Sequence, residues 1–377
     1  MCNFGKTAAK FSNCRNEKSS SEFLLKPRFG MALFHSVKIG NLSLPGNLFL
    51  APVAGYSDRA FRSVCVKGGS CFEYTEMVSM EALTRDSKKT QCLMERAPNE
   101  AAYAVQIFGG NEEVVAEGAR IVLQKTSCEL IDINCGCPVP KIIKSGAGAE
   151  LTRNPEKLFK IARSVVNAVS EFQGERPTFG GKSAPQKIPV SVKIRSGWDS
   201  QNLTWKEAAA AALEAGVCAI TIHPRTRAQG YEGKADWNIL AQLVEFVAGR
   251  IPVFGSGDIF SPQDAKNMLE QTGCDGVMFA RGAMGKPFIF RQTRELLEKG
   301  AFEEISAEEK FAAAFEELDL LAADIGEAAA CREMRKRFCA YSKGFPGGAE
   351  LRKKIVHAES KANYREIFAE GAGNADV

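Results

Sequence analysis

The chain has 377 residues and a formal net charge of +4; 45% of its residues are hydrophobic and 25% are charged. This length exceeds that of a usual single domain, so we expect one large domain with a smaller module attached. The charge is too small to identify a nucleic-acid-binding protein by itself. No apolar run approaches the roughly 20 residues of a membrane span. Twelve scattered cysteines without a secretory signal favour a reducing cytoplasm over a disulfide framework.

The first thirty residues differ in composition from the rest of the chain. They contain six Lys or Arg against two Glu, together with three consecutive serines, and they lack the apolar core of a signal peptide. This composition predicts a disordered extension over residues 1–30. We hypothesise that Met31 is the natural start, because the recognisable motifs begin just after it.

Eight short apolar runs alternate with helical patterns after a hairpin-like entry at residues 35–47. The predicted strands are Leu48–Pro52, Cys71–Glu76, Tyr103–Phe108, Glu129–Asn134, Val190–Ile194, Val217–His223, Ile251–Gly255 and Gly276–Ala280. Asn154 and Ser261, each followed by proline, have the pattern of helix N-caps. This alternation predicts a (β/α)8 TIM barrel. A doubly wound open sheet is the alternative, but no GxGxxG motif follows the first strand.

Two segments depart from this alternation. Residues 172–187, rich in Gly, Pro and Lys, are longer than an ordinary connection and predict a surface insertion without a catalytic role. From Ser306 the pattern is only helical, and Ser306 with Glu309 forms a capping box. Its apolar face is formed by Phe311, Phe315, Leu318, Ala322 and Ile325. We therefore expect a catalytic barrel over residues 31–300 and an all-helical domain over residues 301–377.

A polar turn with two thiols, residues 134–138, follows the fourth predicted strand. In parallel α/β folds the active site is built at this end of the strands. Cys137 stands between glycine and proline, which is a position typical of a reactive side chain. Cys135 and Cys137 form a C-x-C pair with no second pair or histidine nearby, which is weak support for zinc, so we expect no metal site.

The ends of the last two strands carry glycine-containing segments, Gly255–Asp258 and Ala280–Gly282. Backbone N–H groups and one arginine in these two places form the usual phosphate site of a barrel. Either segment alone is equally well explained as a glycine turn. Taken together, they make Ser256, Gly257, Asp258, Ala280 and Arg281 candidate cofactor-binding residues.

Other strands carry single polar residues that are unusual for a core. Lys193 lies within an apolar strand, where a charged amine is costly unless it meets an anion or a lone pair. The alternative is an edge lysine whose charged end reaches water. His223 closes the sixth strand, although a lone histidine is more often a packed residue than a catalyst. Arg225 and Arg227 follow it and suit either a phosphate group or an RNA backbone.

The C-terminal helical segment is strongly basic. Residues 331–365 contain ten Lys or Arg and three Asp or Glu, a local net charge of +7. Four of the basic residues are predicted on one helical face: Arg332, Arg335, Lys336 and Lys343. A solvated charged face is the simple explanation, but so unequal a balance favours contact with a polyanion.

Five motifs in order resemble those of the tRNA-dihydrouridine synthases, closest to the bacterial B-type branch. They are LAPVAGYSDRAFR (50–62), INCGCPVPKIIKSGAGAEL (133–151), VKIRSGW (192–198), TIHPRTRAQGYEGKADW (221–237) and GSGDI (255–259). The resemblance runs from about Phe34 to Ile355. It implies an FMN-binding TIM barrel that reduces the C5–C6 double bond of specific uridines in tRNA, with NADPH or NADH as reductant. We expect a monomer in the cytoplasm.

The resemblance also implies roles for individual residues. Cys137 corresponds to the family's proton donor, and His223 to a histidine near the flavin phosphate and the substrate. The segment Pro52, Val53 and Ala54 matches the part of the family that lies against the flavin. An amide at Gln106 suits the flavin's pyrimidine edge, and Lys193 suits the electron density near N1 and O2 of the reduced flavin.

Two departures from the family pattern stand out. Ala280 replaces a glycine that usually precedes the arginine, and in the MRKHxxWYxKG segment Arg337 and Ala340 replace the histidine and the tryptophan. Two alternatives remain: a flavin dehydrogenase of a free pyrimidine, which the basic tail argues against, and a tRNA-binding protein without catalysis. The joint presence of Cys137, Lys193, His223 and Arg281 argues against the second. We expect the barrel alone to hold FMN and the helical domain to bind tRNA, so that removing the chain beyond about residue 305 spares flavin binding.

Overall fold

The computed structural model describes residues 32–345 and 347–373. The predicted disordered extension over residues 1–30 and the hypothesis about Met31 lie outside the described residues.

Strands and helices alternate through most of the described chain. The strands are β1 (Val37–Ile39), β2 (Leu42–Leu44), β3 (Leu48–Leu50), β4 (Phe72–Tyr74), β5 (Val78–Ser79), β6 (Tyr103–Phe108), β7 (Leu130–Cys135), β8 (Thr178–Phe179), β9 (Lys182–Ser183), β10 (Val190–Gly197), β11 (Ala219–Thr226), β12 (Val253–Ser256) and β13 (Gly276–Phe279). The helices are α1 (Arg59–Lys67), α2 (Met80–Leu83), α3 (Lys88–Cys92), α4 (Glu112–Lys125), α5 (Pro140–Lys144), α6 (Ala149–Arg153), α7 (Pro155–Ser170), α8 (Trp205–Ala215), α9 (Trp237–Val247), α10 (Pro262–Thr272), α11 (Ile289–Lys299), α12 (Ala307–Ile325), α13 (Glu327–Tyr341), α14 (Gly348–Ile355) and α15 (Lys361–Gly373).

Within the described residues, eight parallel strands close into a barrel. Their order is β3, β4, β6, β7, β10, β11, β12 and β13, and β13 pairs with β3 to close the ring. Each strand is followed by a helical segment that covers the outside. The predicted TIM barrel is therefore confirmed, and each of the eight predicted strands corresponds to one barrel strand.

Aromatic side chains fill the lower part of the barrel, which is the end opposite the carboxyl ends of the strands. Phe49 lies 5.7 Å from Phe72 and 4.8 Å from Phe254, measured between ring centroids. The hairpin of β1 and β2 adds Val37, Ile39 and Leu44 to the same buried cluster. Side chains on both faces of a parallel strand are buried, which explains why these strands are continuously apolar in the sequence. The lower end is thus packed, and polar residues collect at the carboxyl ends of the strands.

The predicted helix starts are present. Asn154 accepts a hydrogen bond from the N–H of Lys157 at the start of α7. Ser261 with Asp264, and Ser306 with Glu309, form reciprocal capping boxes at the starts of α10 and α12. These local signals depend on neighbours within one turn, which is why the sequence alone predicts them.

The segment 172–187 forms a small antiparallel hairpin from β8 and β9. Arg176, in its first half, is buried and donates hydrogen bonds to the carbonyl oxygens of Cys128 (2.6 Å) and Thr126 (3.3 Å). The insertion is therefore anchored beside the amino-terminal end of β7, at the opposite end of the barrel from the strands' carboxyl termini.

Helices α12 to α15 build a second hydrophobic cluster. The ring of Phe338 stacks on that of Tyr364 at 4.2 Å, and Leu318 is fully buried. This cluster also contains Ala60 of α1, so the C-terminal helices pack directly on the barrel. Ile325, predicted on the apolar face, is exposed instead because α12 ends there. None of the described helices combines the length and the apolar character needed to cross a membrane.

Candidate active site

A cavity of about 260 Å³ opens at the carboxyl ends of the barrel strands. The residues that line it come from nearly every strand end: 51–54, 77, 106, 134, 136–139, 193, 195, 223, 231, 256–260, 278 and 280–282. The set includes all twelve residues that the sequence predicts as catalytic or cofactor-binding, among them Cys137 and Lys193. The structure therefore brings together residues that are up to 229 positions apart, from Pro52 to Arg281.

The turn after β7 gives its two thiols different surroundings. Cys137 lines the cavity, whereas Cys135 is fully buried in the hydrophobic core. Asn134 fixes the turn, because its side-chain oxygen accepts the N–H groups of Gly136 (3.2 Å) and Cys137 (2.9 Å). Partial burial raises the pKa of the Cys137 thiol above its ordinary value. The thiol consequently keeps its proton at neutral pH.

A buried row of polar side chains runs beneath the turn. Gln106 donates to Asp132 (2.7 Å) and accepts from the side-chain amide of Asn134 (2.9 Å). Ser191 donates to the other oxygen of Asp132 (2.6 Å), and burial raises the pKa of this carboxyl group to about 6. The amide of Gln106 is thereby held in one orientation, with one N–H and one lone pair left for a ligand.

Lys193 reaches the cavity without a protein partner. Among the described residues its ammonium group makes no hydrogen bond and no ion pair, although the side chain is mostly buried. Burial, with a further contribution from Arg195, lowers its pKa to about 8. The carboxyl group of Asp132 attracts it weakly but is already bonded to Gln106 and Ser191. A cation in such a place favours a ligand with a negative or electron-rich group.

His223 is electrically neutral in this environment. Burial lowers its pKa to about 2, and the nearby positive charges of Lys193, Arg195 and Arg225 act in the same direction. A guanidinium nitrogen of Arg225 lies 3.2 Å from its Nε2 atom. His223 is therefore suited to forming hydrogen bonds and unsuited to acting as an acid at neutral pH.

The segments after β12 and β13 lie directly against each other. A Cβ atom added at Gly282 would be 2.0 Å from the carbonyl oxygen of Ile259, so only glycine permits this approach. Gly257 and Asp258 have φ angles of 109° and 57°, in the left-handed region. The Asp258 carboxylate accepts from Arg225 (2.8 Å) and lies 3.5 Å from Arg281.

These contacts give the two arginines near the predicted phosphate site different roles. Arg225 is buried and also donates to the carbonyl oxygen of Gly233 (2.6 Å), so it holds the loops together. Arg281 is partly exposed, and its guanidinium lies 4.5 Å from the ring centroid of Tyr231 and 5.1 Å from that of Phe260. Of the two, Arg281 is the one available to a ligand.

Sequence reasoning did not single out Arg195 and Tyr231, which also line the cavity. Arg195 donates to the carbonyl oxygens of Gly136 (2.8 Å) and Thr226 (2.9 Å), and so joins the turn that carries Cys137 to the end of β11. A usable signal was present: residues two apart on a strand face the same side, so an inward Lys193 predicts an inward Arg195. Tyr231 lies in a loop without such periodicity.

The predicted RNA-binding residues lie outside the cavity, on α13 and just after it. Arg332 and Lys343 are exposed, and neither has a hydrogen bond or ion pair from its side chain within the described part of the chain. Arg335 donates to the carbonyl oxygen of Ala358 (2.9 Å), and Lys336 donates to that of Gly55 (2.8 Å).

One basic residue of this segment has a different environment. Arg337 is buried and pairs with Asp58 and Glu317, so counting it toward a surface for polyanions is wrong. The remaining basic residues of the segment keep the excess of positive charge.

Comparisons with known proteins agree with the motifs. A sequence model of the dihydrouridine synthase family matches residues 49–373. A probable tRNA-dihydrouridine synthase of Treponema pallidum (strain Nichols) is 52% identical over 339 residues, which cover 89% of this chain and 96% of that protein. A tRNA-dihydrouridine synthase B of Pseudomonas syringae pv. tomato is 33% identical over 346 residues, covering 90% and 97%.

Solved structures resemble the chain in fold. DHODH from Eimeria tenella, in complex with ferulenol, superimposes with a TM-score of 0.50 at 16% identity, covering 69% of this chain and 82% of that one. A 2-naphthoyl-CoA reductase complex gives a TM-score of 0.53 at 12% identity, covering 70% and 52%. At these identities the likeness concerns the barrel architecture alone.

Proposed function

The chain belongs to the dihydrouridine synthase family, and from that premise we propose that it is an FMN-dependent tRNA-dihydrouridine synthase. It would reduce the C5–C6 double bond of specific uridines in tRNA in the cytoplasm, with NADPH or NADH as the source of electrons. The observation that carries the proposal is the convergence of Cys137, Lys193, His223 and Arg281 in one cavity.

The donor set of the cavity fits FMN. The unpaired ammonium of Lys193 and the free N–H of Gln106 would hold the polar edge of the ring system. The glycine-containing segments at Ser256–Asp258 and Ala280–Arg281 would hold the single phosphate. Residues 52–54 would lie against the ring. When bound, the flavin supplies the hydride that C6 of the uracil receives, which side chains cannot supply.

The protein's own contribution to the chemistry is a proton. Cys137 is the protonated, cavity-lining thiol, and we assign to it the delivery of a proton to C5. Asn134 and Arg195 position it through the backbone atoms of the turn. Neutral His223 is not a competing acid at physiological pH, and the buried Asp132 is engaged by Gln106 and Ser191.

Access to Cys137 requires the substrate base to leave its stack. The thiol lies within the barrel mouth, and a base stacked inside folded RNA cannot reach it. The basic surface formed by Arg332 of α13 and by Lys343, just after that helix, would hold the RNA backbone while the base is extruded. The names of the relatives at 52% and 33% identity favour tRNA over a free pyrimidine as the substrate.

The test is direct. The purified full-length protein is incubated with unmodified tRNA transcripts and NADPH, and dihydrouridine is measured by mass spectrometry. We expect dihydrouridine in tRNA, none in free uridine, and release of FMN on denaturation. Reduction of free uridine at a comparable rate would support the pyrimidine dehydrogenase instead, and binding without any product would support a non-catalytic tRNA-binding protein. Recovery of FAD alone would overturn the cofactor assignment.

A further inference from the structure

Helix α13 touches the loop that follows the first barrel strand at two neighbouring points. This loop, residues 52–58, supplies Pro52, Val53 and Ala54 to the cavity wall. Lys336 donates a hydrogen bond to the carbonyl oxygen of Gly55 (2.8 Å), the residue directly after the cavity-lining stretch. One residue further along α13, Arg337 forms two hydrogen bonds with the carboxylate of Asp58, which ends the loop and caps α1.

Arg337 is buried within a connected set of polar side chains. It pairs with Glu317 of α12 as well as with Asp58, and its guanidinium lies 4.8 Å from the ring centroid of Tyr56. Tyr341 donates to the second oxygen of Glu317 (2.8 Å). Two carboxylates therefore share one guanidinium, and removing it would leave the fully buried Glu317 without a counter-charge and the partly buried Asp58 without its partner. Such a contact has one favourable geometry, so it fixes the position of the loop relative to α13.

The loop after β13, which carries the cavity-lining segment 280–282, is in contact with the same helix. Gly285 follows the segment 280–282 and has a φ angle of 68°. A Cβ atom added there would lie 2.4 Å from the carbonyl carbon of Ala340 and 2.5 Å from the backbone nitrogen of Tyr341. The backbone of α13 thus rests on the loop after β13, and β13 is hydrogen-bonded to β3, the strand that precedes the first loop.

We propose that α13 positions the cofactor cavity: through Arg337, Lys336 and its close approach to Gly285, it fixes the loops after the first and last barrel strands. Arg337 is then a positioning residue, which acts on the cavity through Asp58. The C-terminal helices belong to the scaffold of the active site in addition to any RNA-binding role. The coupling of α13 to the two loops does not depend on the proposed function. The expected effect of this coupling on FMN affinity does rest on the proposed function.

The first experiment measures amide hydrogen exchange in the cofactor-free full-length protein. The N–H groups of Val53, Gly55, Tyr56 and Ser57 all make hydrogen bonds, so they report on the order of the loop. Arg337→Met should increase exchange in residues 52–58 by about 2- to 30-fold, the range for coupled contacts remote from a ligand. Arg332→Met is the matched control on the exposed face of α13 and should change exchange less than twofold.

The second experiment measures FMN affinity of the same variants by quenching of flavin fluorescence. Arg337→Met should weaken FMN binding by a similar factor, and Arg332→Met should not. Gly285→Ala should also weaken it, whereas Gly300→Ala serves as its control, because Gly300 has a φ angle of 81° and no atom within 4 Å of an added Cβ. Both glycine variants introduce backbone strain at a positive φ angle, but only Gly285→Ala disturbs the contact with α13.

Two milder variants keep the proposal testable if Arg337→Met does not fold. Asp58→Asn retains a good N-cap for α1 but loses the charge. Lys336→Met removes the bond to Gly55 together with the ion pair to the exposed Glu333. Faster exchange in residues 52–58 of either variant supports the proposal. Wild-type exchange in residues 52–58 of the folded variants would overturn it. Failure of the wild-type protein to bind FMN would instead count against the proposed function, while the exchange data would still decide the coupling.

Discussion

At the scale of single residues, the two thiols after β7 show how strongly position determines role. Cys135 and Cys137 are two residues apart, yet one faces the core and the other the cavity. We predict that Cys137→Ala retains FMN and tRNA binding but loses most dihydrouridine formation, since general-acid assistance is worth about 10²–10⁴ in rate. The measurement is single-turnover oxidation of the pre-reduced flavin by unmodified tRNA.

Cys135→Ala is the control for this prediction. It removes one buried sulfur from the core, so we expect a loss of stability of about 1 kcal/mol and a rate within a few fold of wild type. An inactive Cys135→Ala variant, or an active Cys137→Ala variant, would show that the proton donor is assigned to the wrong residue.

The rate of the same half-reaction should depend on pH through the Cys137 thiol. Burial raises its pKa above the reference value of 9.0. The acid form is the active one, so we expect a constant rate between about pH 6 and pH 8.5 and a decline at higher pH, where the thiol loses its proton. A decline centred near pH 6.5 would point to a histidine instead and would contradict the assignment.

Lys193 offers a prediction in which stability and function oppose each other. Its pKa is about 8 in the folded protein against a reference value of 10.5, so at pH 7 folding places an unfavourable charge in the cavity. Lys193→Met should stabilise the cofactor-free protein at pH 7 by about 1–3 kcal/mol, because each pKa unit corresponds to about 1.4 kcal/mol and the ammonium partly faces solvent. The same variant should bind FMN more weakly.

The pH dependence of this stability difference is measured by urea unfolding of both proteins at several pH values. Below pH 8 the amine of Lys193 is protonated in both the folded and the unfolded state, so its full cost to folding stability is present. Between pH 8 and pH 10.5 only the unfolded chain binds the proton, and this cost decreases as the pH rises. The advantage of Lys193→Met should therefore shrink over that interval. A variant that is less stable than wild type at pH 7 would contradict this account of Lys193.

At the scale of elements, α13 carries two kinds of basic residue. Arg332 faces solvent, as does Lys343 just after the helix, while Arg337 lies inside the helical cluster. We predict that Arg332→Ala and Lys343→Ala each lower tRNA affinity and reduce the slope of log K against log salt by about 0.7–0.9 for every phosphate that the variant no longer neutralises. FMN affinity of the cofactor-free protein should stay unchanged, which separates this effect from that of Arg337.

Binding of tRNA measured at several salt concentrations tests this prediction. Ala328→Ser is a matched control, because it alters an exposed residue of the same helix without changing its charge. An unchanged slope in both basic variants would show that the RNA backbone lies elsewhere.

The composition of residues 172–187 predicts where the insertion lies, but only its contacts in the structure explain how it is anchored. Its Gly, Pro and Lys content predicts a surface segment, and the structure has a two-stranded hairpin there. Arg176, however, is buried and bonds to carbonyl oxygens about fifty residues earlier. No sequence pattern indicates this partner, because it depends on which strand end lies next to the insertion.

At the scale of the whole molecule, the contacts of α13 bear on whether the barrel binds FMN without the C-terminal helices. The sequence favours two modules, and removal of the chain beyond residue 305 then spares flavin binding. The contacts of α13 with Asp58, Gly55 and Gly285 favour the opposite result. We predict that the truncated barrel loses tRNA modification and binds FMN more weakly than the full chain by at least the factor expected for Arg337→Met.

The truncated protein is compared with the full chain by flavin fluorescence and by circular dichroism, the second to confirm that the barrel is folded. Wild-type FMN affinity in a folded, truncated barrel would support independent modules and contradict the inferred role of α13. Full turnover of tRNA by the truncated barrel would refute the RNA-binding role of the helices.

The sequence by itself determined the elements and most of the site. Apolar runs of strand length, caps within one helical turn and a polar C-x-C-P turn are local signals, and each depends on residues close in the chain. Because parallel strands bring their carboxyl ends to one side of a barrel, polar residues at those ends predict a common cavity. This argument predicts His223, and the cost of a charged residue within an apolar strand predicts Lys193.

Only the tertiary structure decided how the charged groups are paired. Arg337 meets Asp58 across 279 positions, and Arg225 meets Asp258 across 33. Arginine on an amphipathic helix has the same sequence pattern whether it faces water or a buried carboxylate, so composition assigned Arg337 to the surface. The free energy of a buried ion pair depends on desolvation and on geometry between distant segments. Neither quantity is encoded in the local periodicity from which strands and helices are predicted.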